Sequence, residues 1–262
     1  YTPNGKLHQE MTKNAFHNLL HPFQPFIVGQ RIIGPAMAKK FNVKLVMYGE
    51  NQAEYGNAIE ENTNPIMNMN FFSSDDALSM KFGGISMQDY IDKGTYTKDD
   101  FAPYIAPNKK DLIDAGVEVH YLGYYLNWDP QECYYYAVEN TGFEANPERT
   151  EGTYSKYSSI DDKIDPFHYL TTMIKFGIGR CTYDAAQEVR NDKITREEAA
   201  YLIKKYDTEF PHKYFKEFLK YIDSTEEEFW ETINKHRSPH IWKKVNGEWR
   251  LRHTVTKDGT DD

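Results

Sequence analysis

The run Leu45 to Tyr48 is apolar and stops abruptly at Gly49-Glu50-Asn51, with Glu54-Tyr55-Gly56 close behind. Two carboxylates and an amide directly after a strand could hydrogen-bond a substrate or move a proton. In open α/β sheets, ligands collect at the carboxyl ends of strands. A plain strand exit with solvated polar residues fits the pattern equally well. Two further clusters carry charge. Asn140 to Tyr157 holds Glu144, Glu148, Arg149, Glu151 and Lys156 among Gly, Thr and Tyr. Long charged loops on rigid scaffolds are habitual places for binding groups, and the planar fork of Arg149 suits a carboxylate or phosphate. Solvated surface ion pairs are the plainer alternative. Lys175-Phe176-Gly177-Ile178-Gly179-Arg180 places two cations around two glycines at a helix end. That fits a diphosphate or a uronate. On pattern alone it fits better as a C-cap whose cations complement the helix dipole.

Other chemistry-bearing residues have simpler explanations. His168, Asp161 and Asp162 read as a packed or surface histidine and first-turn helix acids. No HxH, HExxH or CxxC spacing occurs, so no metal site is read. Cys133 and Cys181 read as small packing residues, and two cysteines make no disulfide framework. Glu188 and Arg190 lie two apart on a helix and point to different sides, each able to reach the 175–180 turn. Tyr134-Tyr135-Tyr136 and Tyr124-Tyr125 read as core and interface rather than a sugar platform.

These clusters must be positioned by something. Ile32 to Phe41 reads as a helix stopped by Asn42, followed by a buried parallel strand at 45–48. Asn57 to Asn70 lacks a period and reads as an irregular insertion. Ser86 and Asp89 stand at capping-box spacing. Val117 to Gly123 alternates and predicts a strand. Asp129-Pro130 reads as a helix cap and first turn, and 141–158 as a long loop. A helix opens at Asp165-Pro166 and runs over Phe167 to Phe176, ended by Gly177 and Gly179. Further helices are predicted over Thr182 to Arg190, from the Thr195–Glu198 box to Pro211, over His212 to Tyr221, and over Thr225 to His236. Val245 to Trp249 predicts a hairpin turn.

The expected fold class is therefore α/β, mainly helical. Residues 1–125 form a partial α/β domain with an irregular insertion, 126–255 a mainly helical domain, and 256–262 a frayed tail. The 262 residues can bury a substantial core. A formal net charge of −9 argues against nucleic acid as the main partner. No apolar run approaches the roughly 20 residues that span a bilayer, and the cysteine usage suits the cytoplasm.

Gly49-Glu50-Asn51…Glu54-Tyr55-Gly56 resembles a signature of the N-acetyl sugar amidotransferases of the WbpG/PseA type, within the PP-loop ATP pyrophosphatases. Trp128-Asp129-Pro130-Gln131-Glu132 and Thr141 to Tyr154 resemble the family's central block. Lys175 to Arg180, Glu188-Val189-Arg190 and Ile194 to Ala199 resemble its helical C-terminal block, and His21 to Phe26 fits upstream. In order, these motifs cover most of residues 15–243. Two features of the family are missing, the paired CxxC motifs and the SGGKDS-type phosphate loop. With Tyr1 at its start, the chain reads as the C-terminal portion of a longer protein.

The resemblance implies an α/β domain of PP-loop type followed by a helical domain. The implied reaction is ATP-dependent conversion of an acetamido group on a nucleotide-linked sugar to an acetamidino group, in lipopolysaccharide O-antigen or flagellin sugar biosynthesis. It assigns Glu50 and Asn51 to catalysis and Gly49 to the nucleotide. It assigns Glu54, Tyr55, Glu148, Arg149, Glu151, Lys156, Lys175 and Arg180 to the sugar nucleotide. ATP with Mg is the implied cofactor, with zinc confined to the missing N-terminal part. The implied partners are a nucleotide-linked N-acetyl sugar and a glutaminase subunit supplying ammonia, and a homo-oligomer is compatible. The competing expectation is a non-catalytic module that docks the glutaminase or mediates oligomerisation.

Overall fold

A computed structural model describes residues 2–49 and 63–256. Glu50, Asn51, Glu54 and Tyr55 lie outside the described residues. The chain divides into two compact units, Tyr1–Trp128 and Asp129–Asp262. It is α/β and mainly helical, with small two-stranded sheets.

The first unit opens with α1 (Gly5–Leu19), capped by the Asn4 side chain, which accepts from the Lys6 and Leu7 amides. Leu7, Met11 and Ala15 recur at helical spacing and are buried. α2 (Gln24–Phe41) is longer than the expected 32–41 segment. Pro25 sits in its first turn, where a missing N–H costs nothing. Pro35 lies inside the helix and cannot donate to the Arg31 carbonyl four residues back. Tyr48 Oη fills the gap, donating to Arg31 O at 3.1 Å and to Gln30 O at 2.9 Å. Gly34 permits this approach, since a Cβ there would stand 3.1 Å from Tyr48 Oη. Asn42 ends the helix with φ 54°, as expected.

β1 (Leu45–Tyr48) pairs in parallel with β4 (Glu118–Tyr121), Tyr48 opposite Tyr121. The expected parallel strand is therefore present, but it is not buried: Leu45 is 48% and Met47 43% exposed. α2 packs against β1, and Val46 and Tyr48 join the cluster of Val119, Tyr121 and Leu112. The alternate residues, Leu45 and Met47, point the other way. Between the two strands run β2 (Lys81–Phe82), β3 (Ile85–Ser86), α3 (Met87–Asp92) and α4 (Lys109–Asp114). The Ser86–Asp89 capping box is formed.

The second unit begins with α5 (Pro130–Thr141), capped by Asp129, which accepts from the Gln131 and Glu132 amides. None of its residues is buried. Tyr135 (56%) and Tyr136 (67%) are exposed, as are Tyr125 and Cys133, so none of these four is a core residue, whereas Tyr124 packs against the cluster under β1 and β4. Tyr134 instead stacks on Tyr157, centroids 4.5 Å apart. No helix or strand interrupts the segment from Gly142 to Ile164.

Five helices follow: α6 (Asp165–Phe176), α7 (Arg180–Arg190), α8 (Arg196–Tyr206), α9 (Phe215–Tyr221) and α10 (Glu226–Lys235). Their core gathers Phe167, Cys181, Ala185, Phe218, Ile222, Phe229 and Ile233, with Phe167 stacked on Phe218 at 4.1 Å. Both Thr-x-x-Glu boxes are formed. Boundaries differ from expectation at three places. Gly177, at φ 73°, ends α6, but Gly179 caps the start of α7. α8 stops at Tyr206, five residues before Pro211, and α9 starts at Phe215 rather than His212. The chain closes with β5 (Trp242–Val245) and β6 (Glu248–Leu251), joined through Asn246 and Gly247 at φ 53° and 85°. Two consecutive positive φ values are the type I′ hairpin turn that Asn-Gly encodes.

Candidate functional site

Two of the three charged clusters meet inside the second unit. The 146–158 segment is cinched by its own hydrogen bonds: Asn146 N to Lys156 O, Thr150 N to Ser155 O and Thr150 Oγ1 to Ser158 O. Its inner side, Gly152, Thr153, Ser155 and Ser158, is buried. Cys181 N donates to Gly152 O at 3.0 Å, and Thr153 Oγ1 donates to Asp184. The loop is thus tied to the first turns of α7.

Arg149 donates twice to the Glu209 carboxylate, 2.6 Å on each branch, and once to Thr153 O at 3.1 Å. Its guanidinium lies 4.5 Å above the Tyr206 ring. Glu209 also accepts from Gly152 N at 2.8 Å. The hydrogen bonds from Arg149 hold the Glu209 carboxyl below its ordinary pKa. Arg149 thus forms a bidentate pair, but with a carboxylate of its own chain, which is the ion-pair alternative and not a contact to a ligand.

Arg180 is buried. Its Nε donates to Asp184 at 2.9 Å, its Nη1 stands 3.7 Å from Asp165, and it covers the Tyr169 ring at 4.4 Å. Burial works against its charge, but Asp184, Tyr169 and Asp165 outweigh it and raise its pKa. Asp165, partly buried and accepting from Ser159 Oγ, is itself pushed up by the loss of solvent around it. Asp207 accepts from Gly179 N, Thr182 N and Thr182 Oγ1 at 2.7–3.0 Å, capping α7 from 25 residues away. Its burial outweighs these bonds and raises its pKa.

The crevice among Glu151, Gly152, Tyr169, Arg180, Asp207 and Glu209 is of water-molecule size. It has no room for a sugar nucleotide. What the network does is hold the 149–158 loop and the start of α7 rigidly.

The remaining sugar-binding candidates lie outside this network. Glu148 is exposed. Glu151 accepts from Lys213 N at 3.0 Å, and Lys156 donates to Pro147 O at 3.2 Å. Lys175 lies on the last turn of α6, its Nζ 5.3 Å over the Phe176 ring, with its pKa lowered by burial. Gly49 is exposed, and a Cβ built there would meet nothing within 4 Å. Glu188 has its pKa raised by burial, and it faces the buried Tyr154 hydroxyl, which completes no hydrogen bond among the described residues. Arg190 is exposed. The Cys181 thiol is buried and pushed up to about 12, chiefly by burial, which suits packing and not nucleophilic attack.

Sequence reasoning missed Asp165 as a site member, along with Tyr169, Asp184, Asp207 and Glu209. Asp165 was visible only as a helix-start residue. Glu209 is 60 residues from Arg149, and no spacing rule links such a pair.

Residues 151–256 match the family model described as LPS biosynthesis protein WbpG-like, C-terminal domain. This agrees with the WbpG-type resemblance carried by the motifs. Among curated proteins, none matches the chain.

Proposed function

We propose that this chain is the C-terminal part of an ATP-dependent N-acetyl sugar amidotransferase acting in lipopolysaccharide or related sugar biosynthesis. The observation that carries the reading is the WbpG-like match over 151–256, together with the interlocking of two motif blocks, 149–158 and 179–184, into one site. Hydrogen bonds that span 25–60 residues explain why those motifs occur together.

In the proposed reaction the acetamido oxygen attacks the α-phosphorus of ATP and pyrophosphate leaves. Ammonia then adds to the activated carbon, and AMP departs with the former amide oxygen. An amide oxygen is a poor leaving group, and adenylation makes it a good one. Asn51 would hydrogen-bond the reacting amide, and Glu50 would orient ammonia or accept its proton. Glu54 and Tyr55 would contact the sugar nucleotide. ATP with Mg is a co-substrate of this reaction. The described residues around Gly49 build no phosphate cradle, so no step is assigned to them beyond backbone approach. Ammonia would come from a separate glutaminase. The 146–158 segment would present Glu148 and Lys156 outward, with Lys175 on the α6 turn as the cation for the nucleotide.

A second reading is a non-catalytic docking module. Its support is that Arg149 and Arg180, two of the proposed anion binders, are already paired with carboxylates of this chain. Isothermal titration with ATP, and separately with a UDP-linked diacetamido sugar, separates the two. Binding of the sugar nucleotide supports the amidotransferase reading. Binding of neither favours the docking module.

A further inference from the structure

Charge is strongly segregated along this chain. Residues 236–253 contain Arg237, Lys243, Lys244, Arg250 and Arg252 against Glu248 alone, with His236, His240 and His253 between them. That is a formal +4 (five minus one), in a chain of net −9. The structure gathers these residues onto β5, β6 and their flanks.

On one face of the hairpin, Trp242, Lys244, Trp249 and Leu251 share the side that meets the rest of the unit. Trp242 Nε1 donates to Ile174 O at 2.7 Å, and Arg237 stacks 4.4 Å from Trp242 and 5.4 Å from Trp249. On the opposite face, Lys243 stands directly across from Arg250. Like charges directly opposed on one face of a sheet are destabilising. Glu248 offsets this only in part, 3.6 Å from Arg250 with both side chains largely exposed. Among the described residues, no carboxylate ion-pairs with Lys243, Lys244 or Arg252. Apolar side chains border the patch. Phe176 is 59% and Ile178 39% exposed, and Gly177 between them touches Ile241 and Leu251. Val255, 44% exposed, follows β6.

We propose that the β5–β6 hairpin is a peripheral docking surface for an anionic lipid membrane. The like-charge pair explains itself once an anionic surface supplies the counter-charge. Several cations spread over a small ribbon match an extended sheet of headgroups rather than one phosphate. Exposed Phe176, Ile178 and Val255 beside lysine and arginine form a mixture that settles at headgroup level, where apolar side chains enter the interface and cations snorkel. An acidic protein partner would satisfy the charges but leaves Phe176 and Ile178 without a role.

The test is co-sedimentation of the whole chain with phosphatidylcholine vesicles, with and without phosphatidylglycerol, at low and high salt. The chain should bind only the anionic vesicles, and binding should fall with salt. The Lys243→Gln/Arg250→Gln variant should bind about 30-fold more weakly, each basic residue near an anionic surface contributing about a factor of five. Its urea midpoint should match or exceed the parent's, because a repulsive pair is removed. Equal retention on neutral and anionic vesicles overturns the proposal. So does unchanged binding by the variant, or binding of acidic proteins or nucleic acid in place of vesicles.

Discussion

The guanidinium of Arg149 and the carboxylate of Glu209 meet as two parallel hydrogen bonds of 2.6 Å, joining a loop to the segment after α8. Glu209 also holds Gly152 N, so the pair fixes the loop's path as well as its position. Each partner is about one-third exposed, which screens part of the gain. Glu209→Gln or Arg149→Lys should cost about 1–2 kcal/mol in urea unfolding, the usual range for hydrogen bonds to charged groups reduced for exposure. Lysine should fail nearly as badly as glutamine at Glu209, because it keeps the charge and loses the fork. The pH dependence adds a sign. A carboxyl with lowered folded pKa contributes fully above its unfolded value, near 4.3, and loses that contribution as pH falls through the folded one. Asp207 has the opposite sign: its raised pKa means stability is gained as pH falls through its folded value. Glu209→Gln should therefore flatten the acid-side loss of stability, and Asp207→Asn should steepen it. Identical acid limbs in the parent and both variants would refute this assignment.

Two glycines in the network are required for different reasons. Gly179 has φ −99°, which any residue adopts, but a Cβ there would stand 2.7 Å from Asp207 O and from Asp207 Oδ1. Gly152 has φ +86°, yet its nearest neighbour would be Arg180 Cβ at 4.0 Å. Gly179→Ala is thus a steric lesion and should cost about 1–3 kcal/mol. Gly152→Ala is a conformational one and should cost about 1–2 kcal/mol. The two separate in a double variant with Asp207→Ala. Removing the Asp207 side chain should relieve part of the Gly179→Ala cost and none of the Gly152→Ala cost. Additivity in both cases would show that Asp207 is not what Gly179 yields to.

Local signals were readable where the responsible groups are near in sequence. The Asp129-Pro130 cap, the Ser86–Asp89, Thr195–Glu198 and Thr225–Glu228 boxes, and the Asn246-Gly247 turn all form where the residues indicate. Each is a bond between groups at most three residues apart. β1 illustrates the limit. Its apolar composition reads as burial on both faces, but α2 covers Val46 and Tyr48 and leaves Leu45 and Met47 exposed. α2 illustrates another: Pro35 leaves the Arg31 carbonyl without its helical donor, and Tyr48 Oη, 17 residues along the chain, supplies the missing partner. The site follows the same rule. Arg149 and Arg180 were visible as candidates because they are charged residues beside glycines. Their carboxylate partners Glu209 and Asp165 were not, because only the folded chain pairs them.

The cations of the candidate site differ in the direction in which their surroundings move them. Arg149 and Arg180 have raised pKa values and carboxylates that hold them. Lys175 is half-buried, and burial lowers its pKa, so its charged form is disfavoured where it sits. An anionic ligand would reverse that penalty. Arg180→Gln should act mainly on folding, leaving the partly buried Asp165 and Asp184 without their cation. Lys175→Gln should leave the urea midpoint nearly unchanged and weaken sugar-nucleotide binding by about ten- to a hundredfold, the loss of one or two charge-assisted hydrogen bonds. Because the lowered pKa lies below the ordinary lysine value near 10.4, affinity should fall as pH rises through it. Binding should be accompanied by proton uptake at alkaline pH, visible as a dependence of the titration enthalpy on buffer ionisation heat. Lys175→Gln should abolish that uptake. Undiminished affinity in the variant would remove Lys175 from the binding site and leave the helix C-cap as its whole role.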